Sequence, residues 1–185
     1  AYSVQRKGRR VLLSEGIHPD YRRVVETYLS SHPVEVVTIP LSDGLTSASA
    51  VGAAAGDDTL AVVLATPNFF GCIEDGAALR RVLDETPNQP LLVAVVDPIS
   101  LALLTPPGEY GIAVGDGQQL GNYPSFGGPS FGFFTTVQRH VRKVPGRIVG
   151  QTVDHDGRTG YVLTFQTREQ HIRRERATSN ICTNQ

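Results

Sequence analysis

The sequence predicts an α/β protein, a mostly parallel sheet with helices on both faces. Apolar runs rich in branched side chains recur at Val11 to Leu13, Val34 to Ile39, Leu60 to Ala65 and Leu91 to Val96, each bounded by turn residues. These runs read as strands buried on both faces, and stretches of helical spacing lie between them. Alternation of strand and helix is the pattern of a parallel sheet covered on each side.

The elements follow in order. After the strand at Val11 to Leu13, a helix is predicted from about Asp20 to Leu29, with Tyr21, Val24, Val25 and Tyr28 spaced to share a face. Val34 to Ile39 and Leu60 to Ala65 supply the next two strands. A second helix, from about Asp75 to Leu83, turns Ala78, Leu79, Val82 and Leu83 inward and Arg80 and Arg81 outward. Leu91 to Val96 is the fourth strand. Right-handed crossovers then bring the carboxyl ends of the strands to one edge, where ligands of such sheets bind.

Beyond Asp97 the texture changes. The stretch from Gly108 to Gly132 holds Gly115, Gly117, Gly121, Gly127 and Gly128 interleaved with Tyr123, Phe126 and Phe131. So many aromatics predict an ordered, tightly turning loop system near a site or interface. Phe131 to Thr135 reads as another strand. Arg147 to Val153 and Tyr161 to Phe165 read as a hairpin joined at Asp154-His-Asp-Gly157 by an Asp-Gly turn. Thr167 to Gln170 has capping-box form and is expected to open a helix running to Arg176.

With 185 residues and 40% hydrophobic composition, the chain has enough apolar material for one core, and a single domain over 1–185 is expected. The 17 basic and 18 acidic residues nearly cancel, so no field steers the chain toward nucleic acid or an anionic membrane. No run reaches the length of a membrane span. Cys72 and Cys182 stand far apart without ligand-spaced partners, which predicts neither a disulfide framework nor a zinc site and points to a cytoplasmic location. The chain lacks Met and stops at Gln185 without a closing element, so it is expected to be part of a longer protein, incomplete at both ends.

Most local motifs carry bland readings. Gly115-Asp-Gly117-Gln-Gln-Leu-Gly121 has the spacing G-x-G-x-x-x-G and no long helix after it, which argues against a dinucleotide loop. The histidines at 18, 32, 140, 155 and 171 fall in different elements, and none pairs at helical metal-site spacing. Asp154-His155-Asp156 sits at a hairpin tip, where a solvated turn is the better reading than a metal cluster.

Two strand ends are more informative. Asn68 follows the third strand and Asp97 the fourth, 29 positions later. In the fold-type I pyridoxal phosphate (PLP) enzymes, an Asn or similar residue after one strand meets the cofactor's phenolic oxygen, and an Asp after the next pairs with its pyridinium nitrogen. A Lys roughly 20 to 40 residues further on forms the imine. Here that position falls near Gln118 and Gln119, and an amide forms no imine with an aldehyde. The lysines present are Lys7 and Lys143, both in Arg-flanked polar contexts. Asp97 can equally be a strand-end turn residue.

The stretch Pro67-Asn-Phe-Phe-Gly-Cys-Ile-Glu-Asp75, with Val96 to Ser100, Pro106 to Gly111, Ser125 to Pro129, Gln166 to Glu175 and Ala177 to Gln185, resembles the motifs of glycine dehydrogenase (decarboxylating) subunit 1. That family belongs to the P-protein of the glycine cleavage system. The resemblance covers essentially the whole chain. It implies a fold-type I, aminotransferase-like large domain lacking its first strand and its small domain. It also implies a reaction: glycine is decarboxylated and its aminomethyl group passes to the lipoyl arm of the H-protein. In split forms of the enzyme, PLP is held by a lysine of subunit 2, two copies of each subunit assemble, and subunit 1 lacks that lysine. No catalytic residue is then expected here. Asn68, Asp97, Gln118 and Gln119 become vestigial cofactor positions. Ser125, Gly127 and Gly128, with Thr178, Ser179, Asn180 and Thr183, become candidates for presenting N–H and hydroxyl groups to a neighbour's cofactor phosphate or substrate carboxylate, or for packing the subunit interface. The basic patch Arg168, Arg173, Arg174 and Arg176 serves an interface or is solvated. Alternative readings are a pure scaffold, or an independent PLP enzyme whose lysine lies elsewhere.

Overall fold

The computed structural model describes residues 1–163 apart from 6, 109, 129 and 145–147. The helix expected at Thr167 to Arg176, the Arg patch on it, and Thr178, Ser179, Asn180 and Thr183 therefore lie outside the described residues. The chain divides into two compact units, Ala1–Val137 and Gln138–Gln185.

The first unit runs β1 (Arg10–Ser14), α1 (Pro19–Leu29), β2 (Glu35–Ile39), β3 (Leu41–Ser42), β4 (Leu45–Thr46), α2 (Ala48–Ala54), β5 (Thr59–Thr66), α3 (Gly76–Glu85), β6 (Leu91–Val96), β7 (Gly111–Asp116) and β8 (Gly132–Thr136), with short 3-10 turns among the later elements. Six strands form one sheet in the order β2-β1-β5-β6-β7-β8. The first five are parallel, and β8 runs antiparallel to β7.

Two cores lie on the two faces of this sheet. On one, Leu12, Val62, Leu64, Leu92 and Ala94 pack with Val51 of α2 and Leu79 and Leu83 of α3. On the other, Val11, Leu13, Ala61, Ala65, Leu91 and Ile112 pack with Val25 and Leu29 of α1. Successive strand side chains alternate faces, so a strand buried on both sides is apolar along its middle, as β6 is throughout and β1 and β5 are between their polar end residues. Arg10 pairs with Thr59 but Val11 with Ala61, which makes Leu60 the extra residue of an irregular step. Gly8 permits it: a Cβ there would stand 2.6 Å from the Leu60 side chain.

Caps set the helix starts. Pro19 stands at the first position of α1 while the His18 ring accepts the Asp20 N–H, and the Asp75 carboxylate accepts the Ala78 N–H at α3.

Four expectations need correction. The face that the spacing groups on α1 is split: Val25 meets the sheet together with Leu29, while Tyr21, Val24 and Tyr28 are 46%, 49% and 75% exposed. The helix covers little more than a narrow stripe beside the edge strand, so periodicity alone did not say which arc the sheet takes. That edge strand, β2, is only partly buried rather than covered on both faces. Arg80 is not outward; its side chain is 16% exposed, paired with Asp84 and bonded to the Pro90 carbonyl. Finally, the Gly-rich stretch hides β7, a sheet strand between β6 and β8. Its glycines answer packing: a Cβ on Gly115 would stand 2.3 Å from the Val96 carbonyl oxygen, and one on Gly117 would stand 2.2 Å from the Phe131 ring. The Ser- and Ala-rich α2 and the β3–β4 hairpin also have too few large apolar residues to announce themselves.

In the second unit, β9 (Val149–Val153) pairs antiparallel with β10 (Thr159–Leu163). The expected turn joins them. Asp154 accepts the Asp156 and Arg158 N–H groups on one carboxylate oxygen, and Gly157 takes a φ of 78°. Asp154, His155 and Asp156 bring their ligand-type atoms within 4.8 Å of one another, all exposed.

Candidate functional site

The carboxyl ends of β5, β6 and β7 open into a cleft of about 200 Å³. Asn68 comes from the loop after β5, Asp97 from the end of β6, and Asp116 and Gln119 from β7 and the turn that follows it. His18, Tyr21 and Phe69 form the aromatic wall. The His18 ring lies 5.0 Å from Phe69, edge-on at 85°, and 5.2 Å from Tyr21. Of the predicted positions, the fold thus unites Asn68, Asp97 and Gln119. Gln118 does not line the cleft; its amide donates to the Asn122 carbonyl.

Asn68 is 5% exposed, and its amide is fully used within the chain. It donates to the Gly44 carbonyl at 2.8 Å and to Glu74 at 3.0 Å, and its oxygen accepts the Phe70 and Cys72 N–H groups at 3.0 Å each. An Asn side chain has two donor hydrogens and one oxygen with two lone pairs, so no valence is left for a ligand. Behind it stands the buried carboxylate of Glu74, which also accepts the Thr46 N–H and hydroxyl. Because that carboxylate only accepts, the proton order is set: Gly16 N–H donates to Ser14 Oγ, Ser14 to Thr46, and Thr46 to Glu74. This relay, with the Phe69 N–H bonded to the Gly16 carbonyl at 2.7 Å, stitches the loops after β1, β4 and β5 together.

Asp97 is half-buried. One carboxylate oxygen accepts the Ile99 N–H at 2.8 Å, a strand-end turn, and the residue also lines the cleft. Asp116 accepts the Gln118 N–H at 2.7 Å and the Ser130 hydroxyl at 3.0 Å on one oxygen.

The Ser125 loop is a tight exposed turn outside the cleft. Ser125 and Phe126 have φ of 43° and 59°, and the Gly127 and Gly128 N–H groups both donate to the Pro124 carbonyl. Those two N–H groups are therefore occupied.

Sequence reasoning missed His18, Tyr21, Phe69 and Asp116. Their signal was available, since His18, Phe69 and Asp116 all stand within a few residues of the carboxyl end of a parallel strand.

The class of protein follows from this arrangement. A structure of C-DES with glycine covalently linked to its PLP cofactor shares the fold, with a TM-score of 0.55 at 17% identity, over 83% of this chain and 42% of that one. The two chains share an α/β fold. Closer likeness comes from the crystal structure of glycine decarboxylase (P-protein) of the glycine cleavage system in inhibitor-bound form, with a TM-score of 0.86 and 46% identity over 98% of this chain and 41% of that one. A probable glycine dehydrogenase (decarboxylating) subunit 1 from Geotalea uraniireducens is 53% identical over 178 residues, 95% of this chain and 40% of the relative. The glycine cleavage system P-protein family model matches residues 1–185, and the chain belongs to that family. It spans about two fifths of the length of these relatives.

Proposed function

We propose that this chain is the major-domain portion of a non-catalytic subunit of glycine decarboxylase. In the assembled enzyme, glycine is decarboxylated and its aminomethyl group passes to the lipoyl arm of the H-protein. The observation that carries the reading is the lining of the cleft, which includes neither Lys nor Arg. PLP supplies the electron sink that decarboxylation needs, and a lysine amine must hold it. Lys7 precedes β1, at the opposite edge of the sheet from the cleft, and the position expected for the lost lysine is taken by Gln119.

The residues present do not fit a covalently held PLP. The lysine is missing, Asn68 has no free valence for the phenolic oxygen, and no cationic side chain of the cleft lining meets a phosphate. Asp97 alone retains a position suited to a pyridinium nitrogen. On this reading the cofactor belongs to subunit 2, with two copies of each subunit in a cytoplasmic complex. Among the described residues, no helix is long and apolar enough to cross a membrane. The Ser125 loop, with Gly127 and Gly128, and the Thr178 to Thr183 segment are assigned to the boundary with subunit 2. The full N–H pairing of the loop glycines favours packing over phosphate contact.

Borohydride reduction of the full-length subunit mixed with PLP, with and without subunit 2, tests the reading. Mass mapping is expected to find the label on a lysine of subunit 2 alone. A specific lysine label on this chain overturns it.

A further inference from the structure

The same lining that rejects a phosphorylated cofactor suits a ligand of the opposite charge. β6 and β7 pair in parallel with Val95 opposite Val114, so Asp97 and Asp116 stand level, each two residues beyond that pair. Neighbouring strands are about 4.8 Å apart, so the two residues stand on adjacent strand ends and line the same cleft. Each has one oxygen bonded to a neighbouring N–H, and neither has an ion-pair partner among the described residues.

Facing them are the rings of His18, Tyr21 and Phe69. The Nδ1 of His18 accepts the Asp20 N–H at 3.1 Å, which holds the ring against Tyr21 and Phe69. Aromatic rings attract cations through their quadrupoles, and the attraction strengthens when water is excluded. A volume of about 200 Å³ is roughly six to seven waters at ~30 Å³ each, enough for a guanidinium or a short alkylammonium group.

We propose that this cleft binds an organic cation, a guanidinium or primary alkylammonium group, held between the Asp97 and Asp116 carboxylates and the ring wall. The proposal rests on the reading of the cleft as one without its own cofactor lysine. The cation is either a free small molecule or an Arg or Lys side chain of the partner subunit.

The test is calorimetric titration and ring-proton NMR of the full-length subunit with methylguanidinium and n-butylammonium. N-methylurea, the neutral isostere, and inorganic phosphate serve as controls. Saturable binding of methylguanidinium with shifts in the His18 ring is expected, without binding of N-methylurea or phosphate. Asp97→Asn and Asp116→Asn should each weaken binding about tenfold. Absence of saturable methylguanidinium binding, or equal binding of N-methylurea, overturns the proposal irrespective of how the variants fold. Repeating the titration on the assembled enzyme separates the sources: loss of the site on assembly means that a partner side chain fills it, and persistence means a free cation. Borohydride label on this chain would sink the functional reading. Label on subunit 2 alone, with no cation binding, would sink only this inference.

Discussion

The loop after β5 and the ends of β6 and β7 face one another across a single cleft, yet they have opposite chemistry. Asn68 has spent every hydrogen bond on the chain itself, Glu74 accepts three from it, and the surrounding loops hang from the pair. Asp97 and Asp116 each commit one carboxylate oxygen to a local turn and keep the other for whatever enters. Position at a strand end therefore does not separate a ligand-binding residue from a structural one; counting valences does.

Substitutions break or sharpen this contrast, the largest effect coming from the spent wall. Asn68→Ala strands the Phe70 and Cys72 N–H groups and the Gly44 carbonyl and takes one of two donors from a Glu74 oxygen, so a loss of about 3 kcal/mol is expected in denaturant unfolding. A change under about 1 kcal/mol would show that water replaces the amide and that the wall is not locked.

Glu74→Gln comes next. The carboxylate receives three donors, and an amide nitrogen in place of one oxygen sets donor against donor at Thr46 or Asn68. The expected loss is about 1–3 kcal/mol, against little change for the exposed Asp84→Asn, measured side by side by thermal melting.

On the open wall the effects shrink. Asp97→Asn and Asp116→Asn preserve the turn acceptor and remove one of two unpartnered like charges, so each should shift stability by no more than about 0.5 kcal/mol, in either direction. A loss above about 2 kcal/mol would mean that these carboxylates are as structural as Asn68. Gln119→Lys supplies the cleft with its own ammonium group. A gain of roughly 0–1 kcal/mol is expected, together with loss of methylguanidinium binding, and unchanged binding would place the cation elsewhere.

Much of this molecule was legible because its signals are local. Leu60 to Ala65 and Leu91 to Val96 are apolar on both faces and could only be central strands. Asp75 caps α3 through the Ala78 N–H, and Asp154 with Gly157 makes the hairpin turn. Asn68 and Asp97 were found because each follows such a strand. The β7 strand was not, because Gly115 and Gly117 have the composition of a loop and are glycine only where Val96 and Phe131 crowd them. The exposed face of α1 was not legible for a related reason. Tyr21 and Tyr28 are apolar enough to be buried, and only the breadth of sheet beneath the helix leaves them out.

By itself the sequence determined which segments become strands and helices, that no lysine stands where a PLP enzyme needs one, and which family the motifs resemble. Those properties reside in single residues or short windows, where side-chain chemistry and backbone preference act at once. The tertiary structure alone decided that His18 and Asp116, 98 positions apart, share one cleft, and that Asn68 is spent while Asp97 is not. Such facts depend on the strand order β1-β5-β6-β7 and on hydrogen-bond partners supplied by distant loops, which no local pattern encodes.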